Sequence, residues 1–127
     1  MAQLPLNQYK TFADIVPSTN VGIYTTKTGY TTVVLYAQVA NTGTGIGTVS
    51  FYYERDLRVS NGGITTTTTE LIYNAQVPPN DALILLDGKL VLEKTATKTD
   101  RLKLVGVSTS NPNHLKYTIS VLETLNQ

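Results

Sequence analysis

Short apolar runs recur along the chain, each closed by a cluster of Gly, Pro, Asn, Ser or Thr. This is the pattern of an all-β sandwich or barrel. "YKTFADIV" (9–16) alternates imperfectly and stops at Pro17-Ser18-Thr19-Asn20. "VGIYTT" (21–26) leads through Lys27-Thr28-Gly29 into the longest run, "YTTVVLYAQVAN" (30–41). There the two-residue period puts Val33, Leu35, Ala37 and Val39 on one face and Val34, Tyr36 and Gln38 on the other. Both faces are fairly apolar at the start of the run, as in a central strand. The glycine-rich "NTGTGIG" (41–47) connects it to "TVSFYYERD" (48–56), where Val49, Phe51 and Tyr53 alternate with Ser50, Tyr52 and Glu54.

The second half repeats the pattern. "SNGGITTTTTE" (60–70) joins a tight-turn signal to a threonine tract, and "LIYNAQV" (71–77) resumes the strand. Pro78-Pro79 fixes extended backbone and lacks ladder donors, so a strand ends there. Asn80 or Asp81 is placed to cap one short helical turn through Ala82 and Leu83. "ALILL" and "KLVLEK" flank Asp87-Gly88, a short-range hairpin signal, because a type I′ turn needs positive φ at both central residues. "RLKLVGVS" (101–108) and "LKYTISVLET" (115–124) follow; in the latter Tyr117, Ile119 and Val121 oppose Lys116, Thr118 and Ser120. The expectation is eight or nine strands in an antiparallel β-sandwich or jelly-roll-like barrel. One domain spans 9–127, preceded by a flexible arm over 1–8 that holds Leu4-Pro5-Leu6.

Composition supports this. Threonine is the most frequent residue and there are eight tyrosines, both suited to a pleated, half-buried surface. At 127 residues the chain is long enough for one well-buried core. Charged residues are only 15%, with a net charge of +1, which gives no reason to expect nucleic acid or an anionic membrane as partner. The absence of cysteine excludes a disulfide framework, a thiol nucleophile and cysteine-ligated zinc. No apolar run is long enough for a spanning helix, and the N-terminus lacks signal-peptide regions, so synthesis and folding in a cytoplasm are expected.

Few groups carry chemistry. Asp81 and Asp87 would share one side of a strand and so suggest acid/base work or a calcium site. The turn reading of Asp87 and the cap or turn reading of Asp81 are preferred. His114 is the only histidine, which leaves a three-fold assembly as the route to a histidine metal site; a loop histidine is the simpler reading. "NTGTGIG" opens no helix and follows no βαβ unit, so it reads as a loop and not a phosphate cradle. No serine sits in a nucleophile elbow. Lys94, Lys98, Arg101 and Lys103 cluster, but Glu93 and Asp100 break them up, as on a solvated hairpin edge. Thr65 to Thr69 reads as a solvent-facing strand in preference to an ice-like hydroxyl ladder. Tyr52 and Tyr53, with Tyr24, Tyr30 and Tyr36, suit either a protein interface or ordinary sheet packing. No enzyme, cofactor or metal is expected.

Three stretches carry a resemblance: the entry Pro78 through Leu83, the segment Leu86 through Glu93, and the closing Ser120 through Glu123. With "YTTVVLYAQVAN" as a central strand, the chain resembles small β-rich virion structural proteins of tailed bacteriophages, especially those of cyanobacterial and other aquatic hosts. The resemblance implies a capsid decoration, or cement, protein on the outer capsid surface. Its partners would be the major capsid protein and its own copies in a trimer. Leu4, Leu6, Tyr52 and Tyr53 are the candidate interface residues. A tail, neck or baseplate component and a carbohydrate-binding β-sandwich are the alternatives.

Overall fold

A computed structural model describes residues 7–109 and 111–125. Its strands are β1 (Asn7–Ile15), β2 (Val21–Thr25), β3 (Tyr30–Asn41), β4 (Gly47–Arg58), β5 (Ile64–Val77), β6 (Asp81–Glu93), β7 (Lys98–Ser108) and β8 (Leu115–Leu125). A single 3-10 turn, Pro112–His114, precedes β8. The expected all-β sandwich is present, and the strand over 30–41 has the bounds that its sequence pattern gives. Asn7 and Gln8, placed in the arm by the sequence, already pair with Thr124 and Glu123.

Two four-stranded sheets form the layers, in the orders β1-β8-β3-β6 and β2-β7-β4-β5. Every ladder is antiparallel. The first strand pairs with the last, the second with the seventh, the third with the sixth and the fourth with the fifth. The chain is thus one long hairpin, doubled at the turn between β4 and β5 and wrapped so that β3·β8 and β4·β7 complete the sheets. That arrangement is the eight-stranded jelly roll.

The core lies between the sheets. Val34, Ala37 and Val39 from β3, Val49 and Phe51 from β4, Leu102 and Leu104 from β7, and Ile119 and Val121 from β8 are all essentially inaccessible. Each of these side chains other than Ala37 contributes about 1.5–3 kcal/mol of burial. Gly106 of β7 is part of this packing, because a Cβ there would sit 2.7 Å from Val16 Cγ1 and 2.9 Å from Val49 Cγ1.

Three local expectations are corrected. The first concerns β3, which does not hold one two-residue period. Its register with β8 shifts between Val34 and Tyr36, so Leu35 is an extra residue and the inward set changes phase. Thr32 and Val34 face the core before it, and Ala37, Val39 and Asn41 after it. Val33 and Leu35 are only half-buried.

The second is the hairpin at Asp87-Gly88, where β6 runs on as one strand from Asp81 to Glu93. Against β3, Leu90 is opposite Val34 and Asp87 is opposite Tyr36, so Gly88 and Lys89 together face Leu35. Asp-Gly therefore forms a bulge: Gly88 takes a φ of 151°, but Asp87 lacks the positive φ that a type I′ turn also needs. A turn here would forfeit the ladder to β3 on one side of it, and those pairs outweigh the local turn preference. The third is the helical turn at 80–83, since Asp81 already begins β6 and its Oδ1 accepts from the backbone N–H of Ala82 at 2.8 Å.

Candidate functional site

The predicted interface residues fall in different places. Leu4 and Leu6 lie outside the described residues. Tyr52 and Tyr53 are adjacent on β4 and so point to opposite faces of the sheet. Tyr52 stands on the outer face, opposite Glu70 on one side and Lys103 on the other. Tyr53 packs against the core, where burial and nearby Asp100 push its phenol up, and has the Arg55 guanidinium 5.8 Å from its ring centre. The two rings do not form one surface.

Asp81 and Asp87 are exposed on β6, and Asp81 accepts from the backbone N–H of Ala82. Among the described residues, no group of three or more His, Cys, Asp or Glu is placed to hold a metal. His114 is half-buried, not the exposed loop residue expected, because its turn tucks beneath β3: its carbonyl accepts from the backbone N–H of Thr42 at 3.0 Å. "NTGTGIG" is a loop organised by buried Asn41, whose amide donates to the carbonyls of Gly45 and Val77 at 2.8 and 2.9 Å. Its Oδ1 accepts from the N–H of Gly43 at 3.0 Å.

The sequence left unread two buried carboxylates, one in each sheet, at the same end of the sandwich. Glu123, on central strand β8, has no exposed surface. Its Oε2 accepts from the Tyr24 hydroxyl at 2.6 Å, and the Tyr24 hydroxyl oxygen lies 2.8 Å from Thr32 Oγ1. Its Oε1 takes no directional hydrogen bond but faces the ammonium groups of Lys10 and Lys27 at 3.0 and 3.2 Å. Burial pushes the carboxyl up, yet Tyr24, Lys10 and Lys27 together hold it below the usual carboxylate range. The Tyr24 phenol is driven up, by burial first and then by Glu123.

Asp100, on central strand β7, is equally buried. Arg55 donates to it through both a Nε–H and a Nη2–H, at 2.7 and 2.8 Å, in a forked pair. The backbone N–H of Glu93 adds a bond at 2.9 Å from the opposite sheet. Burial again acts to raise its pKa, but Arg55, the Glu93 N–H and Tyr53 outweigh it and the carboxyl is held low.

The basic cluster is not a solvated hairpin edge. Arg101 and Lys103 lie on β7, the strand between β2 and β4. Arg101 bridges Glu54 and Asp56, and Lys103 lies 3.4 Å from Glu54. Thr66 and Thr68 of β5 complete the network by donating to Asp56 at 2.7 Å and to Glu54 at 2.9 Å. Lys98 is 3.4 Å from Glu93. Arg101 and Lys103 are thus matched by acids on β4 across the sheet, a pairing that no local spacing shows. A depression of about 160 Å³ lies beside this network, lined by Arg58, Ile64 and the 94–99 turn. It is smaller than the roughly 300 Å³ at which small-molecule sites begin.

Two larger, open depressions lie between residues 40–42 and 80–82, about 490 Å³, and between 13–15 and 116–118, about 380 Å³. The strand edges are also uncovered. β5 is an edge strand of fourteen residues, and Ile64 through Leu71 are exposed at every position.

No protein-family model matches the chain, and no curated protein matches it in sequence. In fold it is similar to coat proteins of icosahedral viruses. One is the VP2 protein of infectious bursal disease virus in T=1 particles, at a TM-score of 0.48 and 10% identity over 94% of this chain and 32% of that one. Another is the coat of the turnip yellow mosaic virus empty head, at a TM-score of 0.37 and 8% identity over 99% of this chain and 84% of that one. The chain spans about a third of the length of the bursal-virus proteins it matches.

Proposed function

We propose that this chain is a structural, non-enzymatic component of a virion: a decoration protein that reinforces the capsid of a tailed bacteriophage from its outer surface. The observation that carries the reading is the jelly-roll strand order, an architecture used by viral capsid and lectin domains. A fold alone serves many functions; the phage-like stretches at 78–83, 86–93 and 120–123 narrow the choice, and they form the entry to β6, most of the rest of β6 and part of β8 in one sheet. A low net charge and uncovered strand edges suit a protein that binds by shape and backbone pairing to the major capsid protein. Copies would sit as trimers on the lattice, with Leu4 and Leu6 reaching over a neighbour.

The test is the number of copies per purified virion relative to the major capsid protein, by quantitative mass spectrometry. A ratio within a few-fold supports a lattice-wide role. A ratio lower by orders of magnitude moves the protein to the tail, neck or baseplate. Absence from virions overturns the reading and brings forward sugar binding.

A further inference from the structure

We propose that two copies of this chain pair edge to edge through β5, about a two-fold axis at Thr67, so that one sheet runs through both. This goes beyond the decoration reading, because it concerns how copies meet each other and holds whatever surface they coat.

The four edge strands of the sandwich differ in their protection. Natural edges are blunted by shortness, charge, proline or bulges. β2 is five residues long. β1 carries Lys10 and Asp14. β6 carries Asp81, Asp87, Lys89 and Glu93 and is bulged twice against β3. β5 is different over Ile64–Glu70: this stretch has no lysine, arginine, proline or glycine. Its register with β4 is unbroken from Ile64 to Glu70, and the first irregularity comes only beyond Glu70. The bonds from Thr66 and Thr68 to Asp56 and Glu54 hold it straight against β4. What remains is an extended, exposed edge with open backbone donors and acceptors.

The occupant follows from the sequence of that edge, which complements itself. An antiparallel pair centred on Thr67 sets Thr66 opposite Thr68, Thr65 opposite Thr69 and Ile64 opposite Glu70. Threonine pairs across strands are favourable, and no like charges meet. A register centred near Glu70 would instead bring the two carboxylates together. A contact in which each residue meets its symmetry partner is isologous, the form a two-fold interface requires. The net charge of +1 offers little repulsion between copies.

Sedimentation velocity on the full chain tests this with charge variants at the axis. The wild type is expected at an even multiple of the 13.8 kDa chain mass. Thr67→Lys and Thr67→Glu each place like charges opposite each other and are expected to halve that mass. An equimolar mixture of the two is expected to restore it. Thr67 is exposed, so both variants keep the fold, which circular dichroism checks. Hydrogen exchange gives a second readout: amides within 64–70 slow in the wild type and fast in Thr67→Lys. A wild-type mass of one chain or of three, an unchanged mass in either variant, or a mixture that stays at half mass overturns the pairing. So does equal exchange in the wild type and the variant.

Discussion

The Tyr24 hydroxyl donates to Glu123 Oε2 at 2.6 Å, tying β2 of one sheet to β8 of the other. Without that donor, a carboxylate with no exposed surface keeps only the ammonium groups facing its other oxygen. Tyr24→Phe is therefore expected to cost about 1–3 kcal/mol, the range for orphaning a buried polar group. Combined with Glu123→Gln, it should cost less than the two single changes added, because the groups share one bond. Urea unfolding of the four proteins measures the difference. Strict additivity would show that the bond contributes nothing.

Stability is expected to fall in acid. The carboxyls of Glu123 and Asp100 are both held below their ordinary range in the folded state. A depressed folded pKa adds stability that is fully present above the unfolded value, about 4, and is lost as pH drops through the folded value. The urea midpoint should thus be flat near neutrality and decline below about pH 5. Asp100→Asn should be less stable at neutral pH and show a shallower decline. A variant with the wild-type acid slope would remove Asp100 from the account.

Gly106→Ala is expected to destabilise by about 1–3 kcal/mol through overpacking. The added methyl would meet side-chain carbons of Val16 and Val49 at under 3 Å and the Thr48 carbonyl at 3.2 Å. Val16→Ala in the same chain makes room and should recover part of the loss. A thermal melt of the pair decides it: no recovery would place the strain on the Thr48 backbone.

Gly88→Ala separates a bulge from a packing role. A Cβ at Gly88 meets nothing within 4 Å, so its cost comes from φ alone. Backbone strain of this kind is worth about 1–3 kcal/mol. Lys89→Ala, its bulge neighbour, is exposed and should change little. Equal melting temperatures for Gly88→Ala and the wild type would argue against the strained conformation.

Where local pattern and tertiary pairing agree, the sequence was readable. Leu115 to Glu123 alternates inward and outward as its residues suggest, and Pro78 closes β5 because it has no ladder donor. Asp87-Gly88 shows the opposite case: the need for positive φ was visible, but whether it serves a turn or a bulge depends on β3, far away in sequence. The same distance hides the ion pairs. Glu123 and Tyr24 are 99 residues apart, and Asp100 and Arg55 are 45 apart, so neither carboxylate carries a local mark of burial. Tyr53 was legible as an amphipathic ring, but its inward direction follows from the phase of β4.

The doubling of the chain into one long hairpin also sets an order of events. Loop closure grows costlier with the length of chain it spans. β4 and β5 meet across a five-residue turn, whereas Thr124 and Asn7 of β8 and β1 are 117 residues apart. The β4·β5 ladder is therefore the cheapest to form and β1·β8 the most expensive, so the sandwich closes from its fold outward like a zip. Contacts this distant make for slow folding. Tethering residue 125 to residue 7 by a short linker, with a new opening in the turn between β4 and β5, would reverse the direction of the zip and leave every ladder in place.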